Sequence, residues 1–125
     1  MDVPGHSSGL TKVLPKIFGF PSKPSLDVIN FVDPAVVSAV QTIYDEIEAV
    51  FPSGYVMMGG DEVNLAAIQN LPEIKAAAAK MGHNATGYDL YRQFIVDMHT
   101  FASGTGRELI VWEGFAPAEG QTGAI

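Results

Sequence analysis

The sequence predicts an α/β fold with a parallel sheet, mainly because short apolar strands alternate with long amphipathic helices. Four apolar residues at 55–58 lead directly into Gly59 and Gly60, a pattern typical of a strand that is buried on both faces. A second apolar run follows at 109–112, after a long helical pattern. Strands that are separated by helices form right-handed βαβ units. The two runs are therefore predicted to lie in one parallel sheet.

The predicted fold class is a partial (β/α)8 TIM barrel that contains central βα units only. Two strands do not form a stable sheet, and 125 residues are about half of the ~250 residues of a complete barrel. We expect residues 1–125 to be one fragment of a barrel domain. Alone, the fragment is expected to be inactive and poorly folded, because its sheet would have two unpaired edges.

The region before the first strand is predicted to contain one long helix. Residues 2–9 are predicted to be a loop, and residues 10–33 an ordered but irregular excursion in which Val28–Phe31 is locally extended. Asp33 is a suitable N-cap and Pro34 a suitable first helical residue. Apolar residues then recur at helical spacing as far as the Pro-Ser-Gly sequence that precedes the strand.

Two helical regions are predicted between the strands. The first extends from about 65 to 80 and is interrupted near Pro72, and it contains an alanine-rich run with high helix propensity. The second extends from 88 to about 103, with its apolar residues on one side. The aromatic residues of this second helix, Tyr88 and Tyr91 included, are predicted to be core residues.

Composition excludes several classes of protein. The net charge of −7 argues against a nucleic-acid partner, because phosphate binding needs a basic surface. The chain has no cysteine, which excludes disulfides and thiolate metal sites. It has no apolar run of the roughly 18 residues that a membrane span needs. No signal peptide is recognisable at the start of the sequence.

Residues suited to chemistry follow the predicted strands and one tight turn. In a barrel, the segments after successive strands converge on one mouth. Carboxylates transfer protons there, and an aromatic face packs against a pyranose ring. The residues are Asp2 and His6, Asp61 and Glu62, and Trp112 and Glu113. This combination indicates sugar hydrolysis.

The adjacent acids Asp61 and Glu62 are expected to have different tasks. Neighbouring side chains diverge, so the pair does not suit the opposed acid and nucleophile of an ordinary retaining glycosidase, which are ~5 Å apart. A division of work fits better, in which one acid protonates the leaving oxygen and the other orients a nucleophile that belongs to the substrate.

Three motifs together resemble the family 20 glycoside hydrolases, the β-N-acetylhexosaminidases. The chain has Asp2-Val3-Pro4-Gly5-His6, then Gly59-Gly60-Asp61-Glu62, then Val111-Trp112-Glu113, in the order of the family. The resemblance covers essentially the whole chain as the central part of the catalytic barrel. It implies a retaining mechanism in which the 2-acetamido group of the substrate is the nucleophile and an oxazolinium intermediate forms.

The resemblance also implies a role for each candidate residue. Glu62 matches the general acid/base, and Asp61 matches the acid that orients the acetamido group. His6 matches the turn histidine that contacts the region of the general acid, and Trp112 matches an aromatic wall of the pocket that encloses the acetamido methyl. Asp2 is a candidate substrate-binding residue, with bracing of the turn as the alternative.

The sequence departs from the family pattern in two of the three motifs. Met57 stands where the family has a histidine, and Glu113 follows Trp112 one residue early, so Glu113 is given no role. The Arg expected near the first strand, and the Tyr and Trp residues expected from the last strands, lie outside this chain.

The resemblance implies an enzyme that removes terminal β-linked N-acetylglucosamine or N-acetylgalactosamine from oligosaccharides or glycoconjugates, as in chitin or glycan degradation. It implies no cofactor and no metal. His83 and His99 are expected to be surface or helix residues, because no second ligand stands at metal spacing. By family resemblance the parent protein is expected to be secreted, lysosomal or otherwise outside the cytoplasm.

The same residues also allow other interpretations. Gly-Gly-Asp-Glu also occurs in diguanylate cyclases, which would require a strand after the motif and a nucleotide-phosphate site. A non-catalytic carbohydrate-binding relative is a further alternative, which Met57 favours slightly. Singly, the acid pair would suit a solvated helix N-terminus, His6 a turn that bonds local backbone, and Trp112 a packed core.

Overall fold

The computed structural model of the protein describes residues 1–112. Most of this part of the chain is helical, with two strands that pair with each other. In chain order the elements are α1 (Ser8–Val13), α2 (Pro15–Phe18), α3 (Pro34–Val50), β1 (Tyr55–Gly59), α4 (Leu65–Ile68), α5 (Pro72–Met81), α6 (Gly87–Gly104) and β2 (Glu108–Val111). None of these helices is both long and apolar enough to span a membrane.

The two strands are parallel, as the sequence predicts. Tyr55 pairs with Glu108 at one end of the ladder, and Gly59 pairs with Val111 at the other. The opposite edge of β1 is also occupied, because the backbone amide of Val3 donates to the carbonyl of Met58 at 2.9 Å. The segment before the first turn therefore lies beside β1, which in turn lies beside β2.

The prediction of a loop and an irregular excursion over residues 2–33 is wrong at 8–13 and 15–18, where α1 and α2 lie, and is confirmed for residues 2–7 and 19–33, which contain no helix or strand. The Ser7 carbonyl accepts from the amides of Leu10 and Thr11, which starts α1. Pro15 is the first residue of α2. With six and four residues, the two helices are too short for an apolar period to be recognised. Residues 28–31 form no strand, although Val28–Phe31 is buried.

Helix α3 begins where the sequence predicts. The carboxylate of Asp33 accepts from the amide of Ala35 at 2.9 Å, and Pro34 is the first helical residue. Buried Val36, Val40 and Tyr44 lie along the face that packs against the core. The helix therefore combines a side-chain cap with one apolar stripe, which is why its start could be predicted.

The helical region after β1 is interrupted before Pro72, which is the first residue of α5. Helix α6 begins with a capping box, in which the Thr86 side chain accepts from the Asp89 amide and Asp89 accepts from the Thr86 amide at 2.7 Å. Hydrogen bonds from the Thr86 side chain and backbone hold the pKa of Asp89 below its usual value. This cap fixes the first turns of α6, which contain Tyr88 and Tyr91.

Burial of the strands is less complete than the sequence predicts. Val56 and Met58 of β1 are buried in the core, whereas Tyr55 on the alternate face is 55% exposed. In β2 no residue is fully buried, and Glu108 and Ile110 are exposed. The prediction that β1 is buried on both faces is therefore wrong within residues 1–112, because Tyr55 is exposed and Met57 is only half-buried on the second face.

Candidate active site

The backbone after β1 turns through three residues with positive φ. Gly59 and Gly60 have φ of 82° and 84°, and Glu62 has φ of 49°. Glycine adopts such values without steric cost, whereas a residue with a Cβ is strained there by about 1–2 kcal/mol. The glycines thus allow the chain to turn sharply at the carboxyl end of the strand, and the acids follow directly.

Asp2 braces this turn from the neighbouring segment. Its carboxylate oxygen Oδ1 accepts from the Gly60 amide at 3.2 Å. A Cβ at residue 59 would lie 1.7 Å from the same oxygen, so the Asp2 side chain occupies the space that the absent side chain of Gly59 leaves. These contacts favour the bracing role of Asp2 over direct contact with a sugar.

The Pro-Gly-His turn lies directly against the acid pair. A Cβ at Gly5 would stand 3.0 Å from the Asp61 carbonyl oxygen, so the two segments approach as closely as glycine permits. The buried hydroxyl of Ser7 donates to carbonyl oxygens of the turn, with its shortest contact at 2.9 Å to Gly5. Ser7 gave no signal in the sequence, because a serine among loop residues is commonplace.

His6 and Glu62 form the central contact of the site. The His6 Nε2 atom lies 3.3 Å from Glu62 Oε2, and their side chains are 43% and 76% exposed. His6 also has positive φ, at 50°. Non-glycine residues with positive φ cluster at functional sites. Two of the four such residues in the described part of the chain, His6 and Glu62, contact each other here.

Asp61 is brought to the same place. One side-chain atom each from His6, Asp61 and Glu62 lies within 4.8 Å of the others. This spacing alone does not define a metal site, because exposed acids often cluster without an ion. The surroundings of the two acids differ: Glu62 is exposed beside His6, whereas Asp61 has a buried Oδ1 atom with no hydrogen-bond partner in residues 1–112.

Two buried tyrosines, Tyr91 of α6 and Tyr44 of α3, hold the backbone of the site. The Tyr91 hydroxyl donates to the Gly60 carbonyl. Burial, together with the nearby Tyr88, Asp61 and Asp2, raises the pKa of Tyr91 to about 12. The Tyr44 hydroxyl lies 3.1 Å from the carbonyl of Met57.

Tyr44 also lies 3.1 Å from the Met1 carbonyl, so it spans the two segments that carry the turn and the acid pair. Burial and then the charge of Asp2 raise the pKa of Tyr44 well above its usual value. Both tyrosines therefore stay protonated donors at working pH, and they tie α3 and α6 to the ends of the strands.

Trp112 follows β2 directly, and its amide donates to the Gly59 carbonyl at 2.9 Å. The backbone of this motif therefore reaches the turn that carries the acids. The indole is 55% exposed, which argues against the core-packing alternative within this chain. Glu113 lies outside the described residues. Met57, in place of the family histidine, is half-buried and follows the exposed Tyr55 on the same face of β1.

A cleft of about 220 Å³ opens beside the His6–Glu62 contact. Asp27 and Asn64 are its other polar side chains, and neither was predicted as a site residue.

Helix α4 begins shortly after the acid pair, with Asn64 as its N-cap. Because a helix follows the acid pair where a diguanylate cyclase would require a strand, the cyclase alternative is wrong.

The comparisons with known proteins agree with this geometry. The family model for the glycosyl hydrolase family 20 catalytic domain matches residues 1–122. The chain belongs to this family.

Individual relatives are similar at modest identity. β-Hexosaminidase 3 of Arabidopsis thaliana is 27% identical over 113 residues, which is 90% of this chain and 20% of that protein. A lacto-N-biosidase of Bifidobacterium bifidum is 33% identical over 89 residues, or 70% of this chain and 8% of that protein. The chain thus spans about a fifth or less of the length of these relatives.

The fold is shared with a solved family member. A Vibrio harveyi family 20 exo-β-N-acetylglucosaminidase in complex with N-acetylglucosamine superposes with a TM-score of 0.77 at 25% identity. The match covers 90% of this chain and 19% of that chain. The two parallel strands and their helices therefore occur in the same arrangement within a larger enzyme of this family.

Gly59→Ala is expected to destabilise the folded protein by roughly 2–4 kcal/mol, since it adds positive-φ strain and disrupts the charge-assisted hydrogen bond that the Gly60 amide donates to Asp2. Denaturant unfolding of the full-length protein measures the change. Gly54→Ala is the matched control, because a Cβ at Gly54 meets no atom within 4 Å. Equal stability of the two variants would show that Asp2 does not constrain the turn.

Proposed function

We propose that the full-length protein removes terminal β-linked N-acetylhexosamine with retention, by attack of the substrate's own acetamido oxygen on the anomeric carbon. The observation that carries this proposal is the 3.3 Å contact between His6 and Glu62 beside Asp61, in a chain of glycosyl hydrolase family 20. Two adjacent acids in different surroundings suit the substrate-assisted exception to the two-carboxylate mechanism.

Glu62 is proposed as the general acid that protonates the departing oxygen and later activates water. Its side chain is exposed next to an open cleft, so a leaving group can reach it. The imidazole of His6 holds one carboxyl oxygen of Glu62 and can exchange a proton with it. General acid catalysis of this kind contributes roughly 10²–10⁴-fold to the rate.

Asp61 is proposed to hold the acetamido group in the attacking orientation and to stabilise positive charge on its nitrogen. The nucleophile is then part of the substrate, and intramolecular nucleophiles reach effective molarities of about 10⁵–10⁸ M. Asp61 lies one residue from Gly60, whose amide and carbonyl are both fixed by side chains. This backbone support suits a residue that must hold a precise orientation.

The remaining assignments follow from the same family. We propose that residues 1–125 belong to the catalytic (β/α)8 barrel domain, with β1 and β2 as neighbouring barrel strands. Trp112 is proposed as an aromatic wall for the acetamido methyl, because its exposed ring follows β2 beside the acid turn. The secreted or lysosomal location stays a prediction, as does the absence of a cofactor.

The test uses the full-length protein and two aryl glycosides. The aryl N-acetylglucosaminide is expected to be hydrolysed, and the matching aryl glucoside is expected to be inert, because only the former carries the acetamido nucleophile. Release of the aryl group measured by absorbance gives both rates. Equal hydrolysis of the two glycosides would overturn the substrate-assisted mechanism. Binding of N-acetylglucosamine without any turnover would favour the non-catalytic alternative.

A further inference from the structure

Two buried polar atoms near the acid pair have no hydrogen-bond partner within residues 1–112. One is the Oδ1 atom of Asp61, and the other is the hydroxyl oxygen of Tyr88. Buried polar atoms in folded proteins are nearly always paired, with protein or with an ordered water. Leaving one unpaired costs roughly 1–3 kcal/mol of desolvation. One ordered water shared by the two groups would satisfy both atoms.

The two groups share Tyr91 as a neighbour. The ring of Tyr88 packs on that of Tyr91, with centroids 6.1 Å apart. The hydroxyl of Tyr91 donates to the carbonyl of Gly60, the residue directly before Asp61. Tyr88 and Asp61 also both lie near enough to the Tyr91 hydroxyl to contribute to its raised pKa. Tyr88 and Asp61 are therefore neighbours of the same hydroxyl group.

The hydrogen-bonding chemistry of the two groups is complementary. An ionised carboxylate only accepts hydrogen bonds, whereas a phenol donates one. The Tyr91 hydroxyl has its proton directed at Gly60. Tyr88 has a proton that no described acceptor takes. A single water molecule can join two such groups where the site is polar.

We propose that Tyr88 is a positioning residue for Asp61, and that one bridging water accepts from the Tyr88 hydroxyl and donates to Asp61 Oδ1. The contact fixes one oxygen of the carboxylate and leaves the other for the acetamido group. The contact itself is independent of the reaction, whereas its catalytic consequence rests on the proposed function of Asp61. Tyr88 would then assist turnover without touching the substrate.

The contact is tested by a double-mutant cycle of Tyr88→Phe and Asp61→Ala in the full-length protein, measured by denaturant unfolding. We expect a coupling of roughly tenfold in the unfolding equilibrium constant, as for a hydrogen bond to a charged group. Tyr55→Phe with Asp61→Ala is the matched control, because Tyr55 is an exposed tyrosine in the first position of β1. Additive effects of Tyr88→Phe and Asp61→Ala would overturn the proposal.

The positioning role is tested by activity on an aryl N-acetylglucosaminide. Tyr88→Phe is expected to lower kcat by about tenfold with little change in KM, because an interaction that acts in the transition state is lost. In the Asp61→Ala background, which lacks the acceptor oxygen, the same substitution is expected to have no further effect. An equal loss in both backgrounds would show that Tyr88 acts on packing rather than through Asp61, which would overturn the positioning role.

The two measurements separate the two proposals. Coupling in the unfolding experiment without turnover of any N-acetylhexosaminide by the unmodified protein would support the Tyr88–Asp61 contact and overturn the proposed function. Turnover without coupling would support the proposed function and overturn the contact. Coupling together with the background-dependent loss of kcat would support both.

Discussion

Glu62→Gln is expected to lower kcat for N-acetylhexosaminides with poor leaving groups by roughly 10²–10⁴-fold, the usual contribution of general acid catalysis. Glutamine keeps the shape of the side chain and its contact distance to His6, but it has no proton to give to the departing oxygen. The measurement is steady-state hydrolysis of an oligosaccharide substrate by the full-length variant.

The dependence on leaving group identifies the role of Glu62. An activated aryl leaving group departs without protonation, so Glu62→Gln is expected to slow its release much less. Glu46→Gln is the matched control, since Glu46 is an exposed residue of α3. Wild-type rates for Glu62→Gln on the oligosaccharide would show that another group is the general acid.

Asp61→Asn is expected to lower kcat by roughly 10²–10³-fold, the range found when one electrostatic contact to a developing charge is removed. Asparagine fills the same space but has no charge with which to stabilise the positive acetamido nitrogen. The loss is expected with good and poor leaving groups alike, because in both cases the acetamido oxygen bonds to the anomeric carbon as the bond to the leaving group breaks.

The control for this variant is Asp97→Asn, a change of the same kind at an exposed residue of α6. Folding is compared by unfolding midpoint, so that a loss of activity can be assigned to chemistry. A rate for Asp61→Asn that falls only with poor leaving groups would mean that Asp61, and not Glu62, serves the departing oxygen.

The long periodic elements could be predicted from sequence, and the short ones could not. Helices α3 and α6 have enough residues to show an apolar stripe, and Asp33 and Pro34 mark the start of α3. The parallel pairing of β1 with β2 follows from the helices between them. Helices α1 and α2 were missed because their stability comes from buried contacts of Thr11 and Phe18 rather than from a local period.

The convergence of His6, Asp61 and Glu62 could also be predicted, because residues after successive parallel strands meet at one edge. The tyrosines that support them could not. Tyr44 and Tyr91 occupy apolar helical positions, and periodicity does not reveal where a hydroxyl at the end of a buried ring finds its acceptor. Asp2 could be predicted as a motif residue, but its bond to the Gly60 amide is visible only in three dimensions.

The hydrogen bond that the Gly60 amide donates to Asp2 joins residues 58 positions apart, and the one that Tyr91 donates to the Gly60 carbonyl joins residues 31 positions apart. Contacts with such long separation in sequence form only after much chain entropy has been lost. We therefore expect the site to assemble late in folding, together with the sheet that carries it. A partly folded chain would hold each acid without its support, so under the proposed function the hydrolytic activity of the full-length protein is expected to report the fraction that is completely folded.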